Sequence, residues 1–148
     1  MIATSACTRD ESEYLSTLPT FSGFKVENLT HTNSKYFYKG DQIRVTAIQA
    51  QKGSRLYEAT YTWSFAPSSS NSTKRVYYDK ENADPSWTFT VDSLATSTLL
   101  LTAEYKASGT GVAKPSSVTT TDGSTANYLA STLYSRITLQ RAFTVLSN

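Results

Sequence analysis

His31 is the only histidine and Cys7 the only cysteine among 148 residues, so most ways of building a reactive centre lack their parts. A serine nucleophile needs a base beside it. The one candidate base, His31, falls in a turn-like segment with no acidic partner near it in sequence, and it is expected to be a solvated loop residue. There is no Gly-x-Ser-x-Gly elbow, no His-Glu-x-x-His and no Gly-rich phosphate loop. One cysteine excludes an internal disulfide, and one cysteine with one histidine cannot make a zinc cluster. Asp79 with Glu81, and Asp84 with Asp92, are the carboxylate pairs that could ligate calcium. They lack the closely spaced Asp/Asn series of a dedicated loop and are expected to be ordinary turns. The expectation is a chain that is not an enzyme, with no catalytic residues, metal or cofactor.

Aromatic rings offer the better chemistry. Ten Tyr and two Trp exceed what one small core buries, and exposed rings stack on sugars or anchor protein interfaces. Neighbours in a strand point to opposite faces, so Tyr77 and Tyr78 cannot both be inward, nor can Tyr36 and Phe37. One of each pair should meet solvent, and Tyr77 and Tyr78 are the expected ligand contacts. The competing expectation is that tyrosine simply tolerates half-burial with its hydroxyl in water.

Elements must hold such rings in place. In residues 57–65 the odd positions Tyr57, Ala59, Tyr61, Trp63 and Phe65 are apolar and the even ones polar, the period of a strand buried on one face. Three aromatics and a Trp on one face require a second layer, with Tyr61, Trp63 and Phe65 in the core. Further strands are expected near 24–29, at 42–49 with Ile43, Val45 and Ala47 inward, at 87–91, at 99–105 and at 134–146. Residues 75–79 read as a short edge strand, and 66–73 as a loop, because Pro67 ends the ladder and the polar run has nothing to bury. Arg141 interrupts the apolar parity of Ile137, Leu139, Phe143 and Val145 and suggests a bulge or a position at the sheet rim. Residues 107–126, rich in Ser, Thr and Gly, read as a long mobile hairpin connection.

The length fits one domain that buries roughly two-thirds of its unfolded surface. The net charge of +2, with scattered Lys and Arg, gives no nucleic-acid footprint. No run approaches the roughly 18 apolar residues of a spanning helix.

Two family resemblances add to this. Thr4-Ser5-Ala6-Cys7 resembles the end of a bacterial lipoprotein signal, although the family prefers Leu at the position of Thr4 and only six residues precede the Cys. The polar, acidic run 8–13 resembles the tether of Bacteroidota-type surface lipoproteins. Residues 1–17 would then be a lipobox remnant and flexible leash with Cys7 as the lipid attachment, and 18–148 the single folded domain. The series 40–47, Tyr61-Thr-Trp63-Ser-Phe65, 99–105 and 137–145 resembles PKD-like domains, which implies an all-β, two-layer antiparallel immunoglobulin-like sandwich. The chain departs from that pattern at Ala66-Pro67-Ser68, where a Gly-Asp-Gly turn is usual. Asn28-Leu-Thr30 and Asn71-Ser-Thr73 fit the eukaryotic N-glycosylation pattern, and Asp92-Ser93-Leu94 resembles a bacterial O-glycosylation triplet. Together the resemblances imply a noncatalytic module at the bacterial outer membrane or cell surface, attached to the membrane through lipid alone, that binds or presents a glycan or a protein partner. The alternative is a structural spacer without a ligand.

Overall fold

The computed structural model describes residues 15–113, 119–130 and 135–147. Cys7 and its flanking residues lie outside the described residues, as do 114–118 within the expected connection. The described chain is all-β, without a helix, in three sheets. The strands are β1 (Ser16–Thr17), β2 (Thr20–Asn28), β3 (Phe37–Tyr38), β4 (Gln42–Gln51), β5 (Leu56–Ala66), β6 (Asn71–Val76), β7 (Ser86–Thr90), β8 (Thr96–Ala107), β9 (Val112–Ala113), β10 (Thr125–Ala130) and β11 (Ser135–Leu146).

The larger sheet runs β10-β11-β8-β5-β6, all antiparallel, and β3 joins the far end of β11 in parallel. The smaller sheet is β2-β4-β7, also antiparallel, and β1 pairs with β9 as a short parallel ladder. Period-2 patterning puts Ile43, Val45 and Ala47 of β4, and Leu99, Leu101, Ala103 and Tyr105 of β8, in the buried core. Tyr61, Trp63 and Phe65 of β5 are buried with them. The Trp63 and Phe65 rings meet the smaller sheet. Trp63 lies 6.0 Å from both Trp87 and Phe24, and Phe65 lies 4.8 Å from Phe89. Such ring pairs contribute about 0.5–1.5 kcal/mol each beyond the area they bury. β4 and β5, adjacent in sequence, sit in different sheets, so the link at 52–55 crosses between them.

Several sequence expectations shift. The chain is ordered by contacts before Leu18, since Ser16 is fully buried and pairs with Val112. The first long strand begins at Thr20 rather than Phe24, because Leu18 and Phe21 are already core. Only 67–70 of the expected loop 66–73 is a link: Ala66 still belongs to β5 and 71–73 open β6, which pairs with β5 from Asn71; a polar edge strand shows no apolar alternation to announce it. The expected connection 107–126 contains β9 and the start of β10, and Thr121 docks on β2 through a 2.8 Å backbone bond to Ser22.

Arg141 makes no bulge: the β11–β8 register runs unbroken through Arg141↔Leu99. Its guanidinium lies 4.8 Å from the Phe143 ring centroid and reaches Asp122 at 3.3 Å. Asp122 in turn accepts a 2.8 Å bond from the Phe24 amide. This clip leaves no room over Gly23, where an added Cβ would collide with the Asp122 carboxyl and where φ is +145°. The Tyr128 hydroxyl accepts from the Phe21 amide at 3.3 Å. Residues 121–128 thus cover the outer edge of β2, whereas no described strand pairs with the outer edges of β6 and β7.

Candidate functional site

The start of β5 carries two backbone irregularities, and Tyr57 beside them points outward between buried Leu56 and Glu58. Arg55 has φ +56°, the left-handed region that non-glycine residues rarely occupy. Its carbonyl is held by three donors: Ser16 Oγ at 2.6 Å, the Ser108 amide at 2.9 Å and Ser108 Oγ at 3.0 Å. Between Leu56 and Glu58 the pairing with β8 shifts register. Beyond that bulge Ala59, Tyr61, Trp63 and Phe65 face inward. Tyr57, which shares their parity, is instead rotated out and is 41% exposed. This corrects the inward assignment of Tyr57. Glu58 is buried on the opposite face, against Lys106 at 3.2 Å and Arg75 at 3.8 Å.

Arg55 and Tyr57 border an open cleft of about 370 Å³ whose other walls include Tyr78, Asp79, Asn82 and Ser108. That is within the roughly 300–1,000 Å³ of sites that hold small molecules. The cleft combines one exposed aromatic ring with a guanidinium, a carboxylate and an amide, a set able to stack on a ring and to exchange paired hydrogen bonds with hydroxyls.

Of the two tyrosines expected to touch a ligand, Tyr77 is exposed, with the Arg75 guanidinium 5.8 Å from its ring centroid. Tyr78 is a correction. Its side chain is buried at 2% exposure, its hydroxyl donates to Gln49 Oε1 at 2.6 Å, and it accepts from the Gly53 amide at 2.9 Å. Burial holds the Tyr78 phenol above its usual pKa, against the lowering bond from Gly53. Its ring stands edge-on to Tyr105 at 5.7 Å, so Tyr78 is a wall of the cleft and a core residue. The expected edge strand 75–79 ends at Val76, so Tyr77 and Tyr78 lie in the turn beyond it and Tyr36 lies just before β3; Tyr36 is exposed and Phe37 buried, but through turn geometry rather than alternation within a strand.

His31 does have an acidic partner, ten residues on. Its Nδ1 lies 2.8 Å from Oδ1 of Asp41, whose side chain is buried. Asp41 Oδ2 accepts from Asn28 Nδ2 at 2.6 Å and from the Tyr38 amide at 3.0 Å. Burial works against ionisation of Asp41, but these bonds outweigh it and hold its pKa below the usual carboxylate value. With the His31 amide also donating to Asn28 Oδ1 at 2.8 Å, the pair fastens the 29–41 link. Asp84 is bound to the Gln49 amide and side chain at 3.1 Å, and among the described residues no group of three metal-ligating side chains converges. Asn28 is buried, whereas Asn71 is exposed on β6.

In the sequence the cleft is marked only by ordinary polar residues, Gly53-Ser54-Arg55 and Ser108. Neither discloses a register shift, because a bulge is decided by the partner strand as much as by its own residues. Comparison of the chain with protein-family models, with curated proteins and with solved structures gives no match, so the Arg55–Tyr57 cleft is read from its own geometry and chemistry alone.

Proposed function

We propose that the chain is a noncatalytic surface-lipoprotein module that binds a glycan in the Arg55–Tyr57 cleft. The observation that carries this reading is Tyr57, turned out of the core by a bulge beside a strained Arg55. Bulges beside binding sites re-aim side chains, and backbone outliers collect where a ligand is recognised. A pyranose would stack its C–H face on the Tyr57 ring, and Arg55, Asp79 and Asn82 would take its hydroxyls. The two larger sheets, joined through Trp63 and Phe65, fit an immunoglobulin-like sandwich of the PKD type as the scaffold. Attachment through a lipid on Cys7 fits the small residues before it and the acidic run after it.

A glycan screen with a pull-down on the full chain tests the binding half. Capture of a glycan, weakened by about tenfold or more in Tyr57→Ala through loss of one stacked ring, is the expected result. Silence in both assays would overturn it and leave the module a spacer. Expression with any upstream codons, followed by lipid labelling and fractionation, tests the anchor: label lost in Cys7→Ser is expected, and an unlabelled soluble product with Cys7 intact would refute it.

A further inference from the structure

The short strand β1 belongs to neither of the two larger sheets, yet it holds both peptide groups that flank the Cα of Arg55. The peptide before Arg55 is pinned through the Ser54 carbonyl, which accepts from the Thr17 amide at 3.0 Å, and the Ser54 amide returns a 3.0 Å bond to the Thr17 carbonyl. The peptide after it is pinned through the Arg55 carbonyl, to which Ser16 Oγ donates at 2.6 Å. With both planes fixed, the dihedrals between them are dictated, and surroundings that over-determine a residue are what keep a non-glycine at φ +56°. Ser16 is fully buried, and its hydroxyl also accepts from the Gly109 amide at 2.9 Å. One side chain thereby joins β1, the 53–55 turn and the 107–111 link. Ser16 stands behind the wall of the Arg55–Tyr57 cleft and does not line it.

We propose that Ser16 is the positioning residue of the Arg55–Tyr57 cleft and that β1 is a latch through which the chain leading to it from Cys7 controls that cleft. The proposal rests on the ligand-binding reading above and adds its regulation. β1 pairs with β9 over only two residues, and so short a ladder lies at the low-stability end of a fold. Leu18, next along, is 4% exposed in the core, so residues 15–17 can peel back while the sandwich stays shut. Peeling removes the Ser16 bond to Arg55 and the Thr17 bonds to Ser54 at once. The wall at 53–57 then rests on Ser108 at the Arg55 carbonyl and on Tyr78 at the Gly53 amide, and Arg55 relaxes out of the left-handed region. Tyr57, two residues on, loses the frame that aims it outward. A ligand that needs the formed wall favours the closed latch, and by the same coupling tension on the amino-terminal chain lowers ligand affinity.

NMR on the isotope-labelled full chain tests this. In the parent, native-state hydrogen exchange should show the amides of Ser16, Thr17, Ser54, Ser108 and Gly109 opening together, well before β8 amides such as Leu101. In Ser16→Ala the same group should exchange about five- to tenfold faster, the effect of one lost hydrogen bond, and the Arg55 Cα shift and amide–α coupling should leave their left-handed values. Asp122→Asn, which loosens the clip on β2 instead, leaves the Arg55 signals in place, so general loss of stability does not account for the change. A glycan returned by the screen should be captured about three- to fivefold less well by Ser16→Ala, because the site is less preorganised. Three results would each overturn the proposal: Ser54 and Ser108 protected like β8 while Ser16 and Thr17 exchange freely, an Arg55 signature that survives Ser16→Ala, or glycan capture indifferent to that change. The parent measurement decides the latch even where Ser16→Ala does not fold. A silent glycan screen refutes the ligand and leaves the exchange and Arg55 measurements to judge the latch, so the two readings fail separately.

Discussion

Two tyrosines four positions apart on β5, Tyr57 and Tyr61, share a parity and differ more than tenfold in exposure, 41% against 3%. The difference comes from one register shift between Leu56 and Glu58, and it separates the buried rings of this strand from the exposed one. Trp63→Ala should cost about 3–5 kcal/mol in a denaturant titration, the scale of deleting a large buried aromatic. The Trp63 ring contacts Phe24 and Trp87, so a loss under about 1 kcal/mol would contradict its place between the sheets. Tyr57→Ala should stay within about 0.5 kcal/mol of the parent while losing ligand capture. Arg55→Gly makes the opposite trade. It relieves the φ of +56° and should leave stability unchanged or raised by up to about 1 kcal/mol, yet remove a cleft side chain. If Arg55→Gly instead destabilised by more than about 1 kcal/mol, side-chain contacts rather than backbone geometry would be what holds the turn.

At the scale of elements, what the sequence disclosed follows how much each strand buries on one face. β4, β5, β7, β8 and β11 are half-buried, so alternation of Ile43/Val45/Ala47 or Leu99/Leu101/Ala103 was enough to place them. β6 was legible only in part, because an edge strand needs a paired backbone and no apolar rhythm. The candidate cleft was not legible, since it depends on the bulge that β8 imposes on β5. The clip over β2 was also hidden: Asp122 and Gly23 are 99 positions apart, and nothing local links them. That clip gives a test. Gly23→Ala places a methyl into the Asp122 carboxyl at a backbone conformation that favours glycine, and it should destabilise by more than about 1 kcal/mol. Combining Gly23→Ala with Asp122→Ala removes the collision, and the pair should recover part of the loss as a non-additive coupling. Strict additivity in chemical denaturation would mean that the loop at 121–124 simply moves aside.

Across the whole molecule the two long margins of the sheets are treated differently: 121–128 seal the β2 margin, while the β6–β7 margin stays open over Tyr61 and Trp63. Two carboxylates tie the β2 strand. Asp41 receives Asn28 and His31 at one end, and Asp122 receives the Phe24 amide and Arg141 nearer the other. Burial raises the pKa of each, but the hydrogen bonds around them, and at Asp122 the Arg141 guanidinium, win, and both are held below the usual value. A carboxyl with a lowered folded-state pKa binds fewer protons folded than unfolded. Its contribution is therefore present above the unfolded value of about 3.9 and is lost as pH falls through the folded one. Stability should thus be flat for these groups from neutral pH down to about 5, then fall steeply below about 4. Asp41→Asn and Asp122→Asn, each less stable than the parent at pH 7, should show a shallower fall on acidification, and the double variant the shallowest. Urea midpoints measured from pH 7 to pH 2.5 decide this, and a double variant whose acid slope matches the parent's would place the acid-sensitive groups elsewhere in the chain.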